Sequence, residues 1–463
     1  MATHSRYVSL GLVSLLLSGC ANFSAGNLFS HYSAQNKDLY QAVQLGDYAQ
    51  ASDELDDGIA GPILDNMEHG RVYFLDQQYP QSLASLDKAD QAVKEQQEQA
   101  VISLSQSATS LGSLAINDNL NTYTPPDYEL GFLHLYLGLN YLKQGQLEDA
   151  LVEMRRANAV QKAARERREQ ELQRAQDKMK SQGISPNIGV VLARYPDAGN
   201  TLKAVQNGYL FLLSAILYEA DGSLNDAYVD YRRALAVAPN NPAVIDGTLR
   251  VAKELGMQQD LVMLKKQYGQ PKSLSKSQGR VIILDEQGVV EPLSGWKLSL
   301  PLFDRSSGTS LYSIALPYYR HQTDRESESI TLNQVTVSNR LLADVNTMAS
   351  QDLSERLPTI IVRQVLRVVA KDVLRRSTTQ GNDLGNLVFN VWNALTEQPD
   401  TRSWLTLPAR VDASSTVVDA GEQTLQVGSK TYTFKVTPQG TTLVWLSRQG
   451  ANSTLWYKEL GRL

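Results

Sequence analysis

One cysteine, Cys20, stands in a chain of 463 residues, so neither an intramolecular disulfide framework nor an all-thiolate metal site can be built from it. Histidine is almost as scarce. His4, His31, His69, His134 and His321 are scattered along the chain, and His134 lies among apolar neighbours, the setting of a packed histidine rather than a metal ligand. Positive charge is not in excess either: 44 Lys and Arg face 49 Asp and Glu, a net charge of −5, which argues against bulk nucleic-acid binding. Also missing are a Gly-x-Ser-x-Gly elbow, a His-Glu-x-x-His pair and a phosphate-binding glycine loop. No catalytic residue, metal or cofactor is therefore assigned from the sequence. What is present is ordinary for a globular protein, 42% hydrophobic and 20% charged, in a length that calls for two or three domains.

The cysteine's position says more than its number. Residues 1–20, MATHSRYVSLGLVSLLLSGC, carry one firm positive charge at Arg6, an apolar run from Val8 to Leu17 and small residues before Cys20. This is a secretory signal pattern, with a run too short for a permanent membrane span. Leu17-Ser18-Gly19-Cys20 resembles the bacterial lipobox, which implies removal of residues 1–19 and acylation of Cys20. Ala21, rather than an aspartate, resembles the sorting pattern for the outer membrane. Residues 20–33 then read as the acylated cysteine and a flexible tether, holding the protein at the periplasmic face of that membrane. An ordinary signal peptide with an accidental cysteine is the plainer reading.

Residues 34–268 show apolar positions at helical spacing, broken by Gly or polar pairs. Within Gly208–Pro239, Tyr218, Gly222, Ala227, Tyr231, Ala234 and Pro239 stand at the spacings of a tetratricopeptide repeat (TPR), a 34-residue helical hairpin. Tyr141, Gly145, Ala150, Met154 and Ala157 repeat the pattern 77 residues earlier. Weaker copies include Gly46 with Ala51, and Gly70, Tyr73, Ser82, Leu86 and Ala89 around a poor turn. Asn241–Tyr268 reads as a capping hairpin with its turn at Gly256, which makes four or five hairpins in an irregular stack. The charged stretch Gln161–Ser181 reads as a long solvated helix, Gln182–Asn200 as an irregular return, and Ser103–Thr124 as loop.

At 269–279 the composition turns to Gly, Pro, Ser and Lys, marking a linker into a region 280–463 of different style. Strands are expected over Arg280–Leu284, Trp296–Leu300, Leu311–Tyr318, Ser329–Val337, Arg410–Val418, Thr424–Val427, Thr431–Val436 and Thr441–Leu446, with hairpin turns at Gly428-Ser429 and Pro438-Gln439-Gly440. Helices are expected within Leu341–Leu374, with Pro358 in a first turn, and over Leu384–Leu395. The expected fold is thus multidomain, an all-α TPR-like repeat domain followed by an α+β domain with an antiparallel sheet. Arg363, Arg367, Lys371 and Arg375 line one helix face, either as a plain solvated face or as a ridge for anionic contacts. Asp400, Arg402 and Trp404 form the most distinctive short stretch, read as a local ion pair closing a loop on Trp404 or as a surface binding motif.

With the lipobox, the dispersed repeats, Leu357-Pro358-Thr359-Ile360-Ile361 and Asp400–Pro408, the chain resembles a family of TPR-containing bacterial outer-membrane lipoproteins. The resemblance implies a role at the cell envelope and names no activity. Genes of that family often neighbour those of lipoproteins similar to penicillin-binding-protein activators. By TPR resemblance the residues facing a binding groove include Leu135, Leu139, Leu142, Lys143, Leu212, Ile216 and Glu219, and being mostly apolar they suit either a partner or the chain's own segments. Two functions are carried forward. The first is a lipid-anchored scaffold that binds periplasmic or outer-membrane proteins through the groove; the second makes the C-terminal region an enzyme or glycan-binding module acting on peptidoglycan or surface polysaccharide.

Overall fold

A computed structural model of the chain describes residues 31–56, 58–105, 122–181, 206–304, 308–320, 329–379 and 399–463. Cys20, the segment Gln182–Asn200 and the helix expected over Leu384–Leu395 lie outside the described residues.

After a single turn of helix, α1 (Tyr32–Gln35), the described residues of the first half fold as five helical hairpins. These pair α2 (Lys37–Leu45) with α3 (Tyr48–Asp53), α4 (Pro62–Leu75) with α5 (Tyr79–Ser105), and α6 (Asp127–Gln144) with α7 (Leu147–Ser181). The last two pair α8 (Gly208–Ala220) with α9 (Leu224–Val237), and α10 (Pro242–Glu254) with α11 (Gln258–Tyr268). Each hairpin reverses through a residue in the left-handed region. Four of these are the expected glycines, Gly46, Gly145, Gly222 and Gly256, and the fifth is Gln77 with φ 61°, where the sequence showed a poor turn. Small residues bring the paired helices together: a Cβ on Gly138 would stand 2.6 Å from Met154 Cε. Two of the later helices open on asparagine caps, Asn207 accepting from the amides of Tyr209 and Leu210, and Asn241 from those of Ala243 and Val244. The charged stretch Gln161–Ser181 continues α7 without a break, as expected.

The second half supplies eleven strands among the described residues. They are β1 (Gln278–Gln287), β2 (Ser294–Asp304), β3 (Gly308–Tyr318), β4 (Ile330–Leu332), β5 (Val335–Thr336), β6 (Arg340–Asp344), β7 (Arg410–Asp419), β8 (Gly421–Val427), β9 (Lys430–Val436), β10 (Thr441–Gln449) and β11 (Asn452–Gly461). The helix α12 (Val345–Thr379) lies between β6 and β7. The expectation of one antiparallel sheet is corrected in two ways. Among the described residues there are three sheets, and the central five-stranded one, ordered β11-β10-β1-β7-β6, is mixed, because β10 runs parallel to β1. The chain changes sheets at Pro438-Gln439-Gly440, so this turn joins β9 of one sheet to β10 of another instead of closing a hairpin, whereas Gly428-Ser429 does close one between β8 and β9.

Pro358 is also placed differently, well inside α12 rather than in a first turn. An interior proline costs about 3 kcal/mol or more. Burial on both sides of it offsets that cost: Val345, Met348, Ala349 and Leu353 enter the main core, while Leu357, Ile361, Val365 and Val368 pack under Ile314 and Leu316 of β3.

Side-chain alternation on β1 organises the whole molecule. Val281 and Ile283 face the four-stranded sheet β5-β4-β8-β9 and join Ile330, Leu425, Phe434, Val444 and Leu446 in one cluster. Ile282 and Leu284 face the other way, into a cluster that holds the apolar residues of all five hairpins. The stretch 269–279 therefore does not separate two independent cores. Helices, central sheet and outer sheet are three successive layers, and the helical layer shares its core with the sheet.

Candidate functional site

The first helix of every hairpin touches the central sheet or the chain running into it. On α2, Tyr40 donates its hydroxyl to the Val290 carbonyl at 3.1 Å, and the helix abuts β10. On α10, Asp246 pairs with Arg280 of β1 at 2.8 Å and accepts from Ser415 of β7 at 2.7 Å. Between them α4, α6 and α8 converge on one carboxylate, Glu286 of β1. Arg71 of α4 pairs with its Oε2 at 2.6 Å; the hydroxyls of Tyr136 on α6 and Tyr209 on α8 donate to Oε1 at 3.2 and 3.0 Å; and Trp445 Nε1 of β10 donates to Oε1 at 3.0 Å. Arg71 and Glu286 are both wholly shielded from solvent. The Arg71 guanidinium lies 4.4 Å from the centre of the Tyr136 ring, so the buried cation has an aromatic face as well as a counterion. Burial among these partners raises both tyrosine hydroxyls well above their ordinary range, keeping them protonated donors.

Beside this hub the segment Pro399–Pro408 enters the interior without forming helix or strand. A buried irregular backbone must find partners for its amides, and two inner-helix carboxylates supply them. Trp404 N–H donates to Glu129 at 2.9 Å, Leu405 N–H to Glu68 at 2.6 Å, and Thr406 donates to Glu68 through its amide at 3.2 Å and its hydroxyl at 2.6 Å. Arg71 Nε donates to the Thr406 carbonyl at 3.3 Å, tying the segment to the hub. Burial pushes the Glu68 carboxyl up to about 8, against the opposing hydrogen bonds from Thr406 and Leu405. Glu129 is pushed up to about 7 by burial, against the hydrogen bonds of Tyr123 and the Trp404 amide.

The nominated residues fall as follows. Leu135, Leu139, Leu142, Leu212, Ile216 and Glu219 are buried in the protein's own core; Glu219 is further occupied by Arg250 and Tyr231. The inner face of the hairpins is thus covered by the central sheet and the 399–408 segment, and of this set only Lys143 retains appreciable exposure. The physical reason is that β1 and β10 are apolar on both faces and need a layer on each. Asp400 and Arg402 form the expected local pair at 2.7 Å, but Trp404 is fully buried, so the stretch is not a surface motif centred on that ring. In α12, Arg363 is exposed while Arg367 is buried beside Gln364, so these two do not share one solvated ridge; the side chains of Lys371 and Arg375 lie outside the described residues. His134 is packed, its Nδ1 2.7 Å from Glu153.

Sequence reasoning missed Glu68, Arg71, Glu129 and Glu286. For three of them the available signal was their company: Arg71, Glu129 and Glu286 are ionisable residues inside or at the end of an apolar run, as in Tyr128-Glu129-Leu130 and Ile283-Leu284-Asp285-Glu286, whereas Glu68 between Met67 and His69 carries no such signal. A cavity of about 460 Å³ opens elsewhere, between the β4–β5 turn and the ends of β7 and β8, where Asn333 and Gln423 satisfy each other at 2.7 Å. Among the described residues no group of three or more His, Cys, Asp or Glu side chains is placed to hold a metal ion, and no helix is long and apolar enough to cross a membrane. No protein-family model and no curated protein matches the chain.

Proposed function

We propose that the protein is a lipid-anchored scaffold of the bacterial outer membrane, facing the periplasm, in which TPR-like hairpins carry the C-terminal sheet and offer their outer helices to protein partners. The observation that carries this reading is the docking of the first helix of every hairpin on the chain's own second half. The carboxylates that converge near Trp404 are spent on backbone amides inside a filled interior rather than lining an open cleft, which favours a scaffold over an enzyme. The repeat pattern is supported by the turn glycines Gly145, Gly222 and Gly256, 77 and then 34 residues apart. On the outer helices, Val152, Val229 and Met263 follow the same 77 and 34 spacing, and all three are exposed. The membrane anchor rests on the lipobox at Leu17–Cys20.

Two experiments test the reading. Cys20→Ala releases the protein from the membrane fraction and removes the acyl mass; a variant that stays bound at unchanged mass refutes the anchor. A photo-crosslinking residue at Val229 gives a discrete adduct in intact envelopes that one at the buried Leu212 does not. Equal labelling at both, or at neither, rules out partner binding on the outer helices.

A further inference from the structure

Where α6 ends against the sheet edge, two cations meet without an acid. Lys143 lies in the last turn of α6, and its Nζ stands 5.5 Å from the centre of the Tyr79 ring and 5.7 Å from that of Trp456. Lys458 comes from β11, two residues beyond Trp456, and a Cβ on Gly145 would stand 3.3 Å from its Nζ, which places that ammonium over the hairpin turn that follows α6. Among the described residues neither lysine has a carboxylate partner. Two neutral donors complete the group. Tyr79 Oη and Trp456 Nε1 are both buried and both lack a hydrogen-bond partner.

Two ammonium groups beside two unpartnered neutral groups make a cluster with no anion. The carbonyl end of α6 offsets one positive charge in part, as helix C-termini do, but it leaves the second ammonium and both neutral groups unmet. Burial and the charge of Lys458 together draw the Lys143 ammonium below its ordinary range, the direction expected when two cations share a site with no anion. Both lysines remain partly exposed, so a ligand can reach them from solvent.

We propose that Lys143, Lys458, Tyr79 and Trp456 form a binding site for a phosphate group. A tetrahedral dianion offers enough acceptor positions to answer both ammonium groups, while the rings of Tyr79 and Trp456 wall the site on its protein side. The group belongs either to a soluble phosphate ligand or to a lipid headgroup. This site is independent of the scaffold reading, because it depends on neither the outer helices nor the anchor.

The indole N–H of Trp456 gives a direct readout, since the chain has five tryptophans and the resonance is assigned with Trp456→Phe. The full chain, labelled with nitrogen-15 tryptophan, is titrated with inorganic phosphate and, separately, with chloride at matched ionic strength. The expected result is a saturable shift of the Trp456 signal with phosphate alone. Affinity falls at least tenfold in Lys143→Met with Lys458→Gln, while the Trp404 and Trp445 signals stay in place and report that the variant is folded. Dihexanoyl phosphatidylglycerol, kept monomeric, identifies the source: displacement of phosphate at similar concentration indicates a lipid headgroup, and no displacement indicates a soluble phosphate ligand. Absence of a phosphate-specific shift, or equal affinity in the double variant, overturns the proposal.

Discussion

Asp285 and Glu286 are neighbours in β1 that point to opposite faces of the central sheet, and they hold the protein together in different ways. Asp285 is served from within the second half of the chain. Arg448 of β10 pairs with it at 2.7 Å, and Asn339 and Gln287 donate to it at 2.8 and 2.9 Å. Glu286 is served mainly from the first half, by Arg71, Tyr136 and Tyr209 on three different hairpins. One carboxylate fastens the sheet region to itself, while the other fastens the helices to the sheet. Apolar burial on both faces supplies most of the driving force, but it is non-directional. The four donors on Glu286 are satisfied together in one arrangement only, so they fix the position of the arc of helices on the sheet.

This comparison is broken most severely at the hub. Glu286→Ala leaves Arg71 buried without its counterion and is expected to cost about 3–5 kcal/mol, measured by urea denaturation. Arg71→Met does comparable damage by stranding the carboxylate, and adding Glu286→Gln restores part of the loss because the amide still accepts from Tyr136, Tyr209 and Trp445. A double variant no more stable than Arg71→Met would show that the charge pair is not what positions the helices. On the opposite face, Ile283→Ala removes aliphatic packing at a cost of about 2–5 kcal/mol. Asp285→Asn is expected to cost about 1–3 kcal/mol, since Arg448 loses its counterion in the interior but keeps one amide acceptor.

A pH series probes the buried carboxylates together, Glu68 and Glu129 against the 399–408 segment and Asp285, which burial pushes up to about 6, so only a variant assigns the share of each. Glu68 has its folded value raised to about 8 by burial, so the folded state binds more protons than the unfolded chain between about 4.5 and about 8. Its contribution is therefore fully present below about 4.5 and is lost as pH rises through about 8, and melting temperature falls over that window. In Glu68→Gln the fall is shallower; an unchanged slope would assign the effect to other groups. Smallest are the turns. Gly222→Ala, at φ 80° with open space around it, is expected to cost about 1–2 kcal/mol, while Gln77→Gly at φ 61° stabilises by relieving the same strain.

Much of the fold was legible because local signals agree with it. Turn glycines at Gly46, Gly145, Gly222 and Gly256 and the spacing of the small residues marked four of the five hairpins. The runs at Arg280–Leu284 and Thr441–Leu446 marked β1 and β10. What local signals do not carry is which strand lies beside which. The parallel pairing of β1 with β10 joins residues some 160 positions apart, and β6 and β11 are too polar on one side to stand out. The unbroken apolar runs of β1 and β10 carry a further signal, burial on both faces, that assigning them as strands leaves unused, and without it the inner helices suit either a partner or the chain's own segments. The site was less legible, because Glu68, Arg71, Glu129 and Glu286 acquire meaning only when four distant segments meet. Of the two readings of Asp400, Arg402 and Trp404, the local ion pair is the one found, and the surface motif is excluded by the burial of Trp404.

Differential scanning calorimetry of the intact chain tests most directly the claim that the helices and the sheet share one core. A shared core predicts a single transition in which the calorimetric and van't Hoff enthalpies agree, with Glu286→Ala lowering that transition as a whole. Two separated transitions, with Glu286→Ala moving only one of them, would contradict it and return the hairpins to the status of an independent domain.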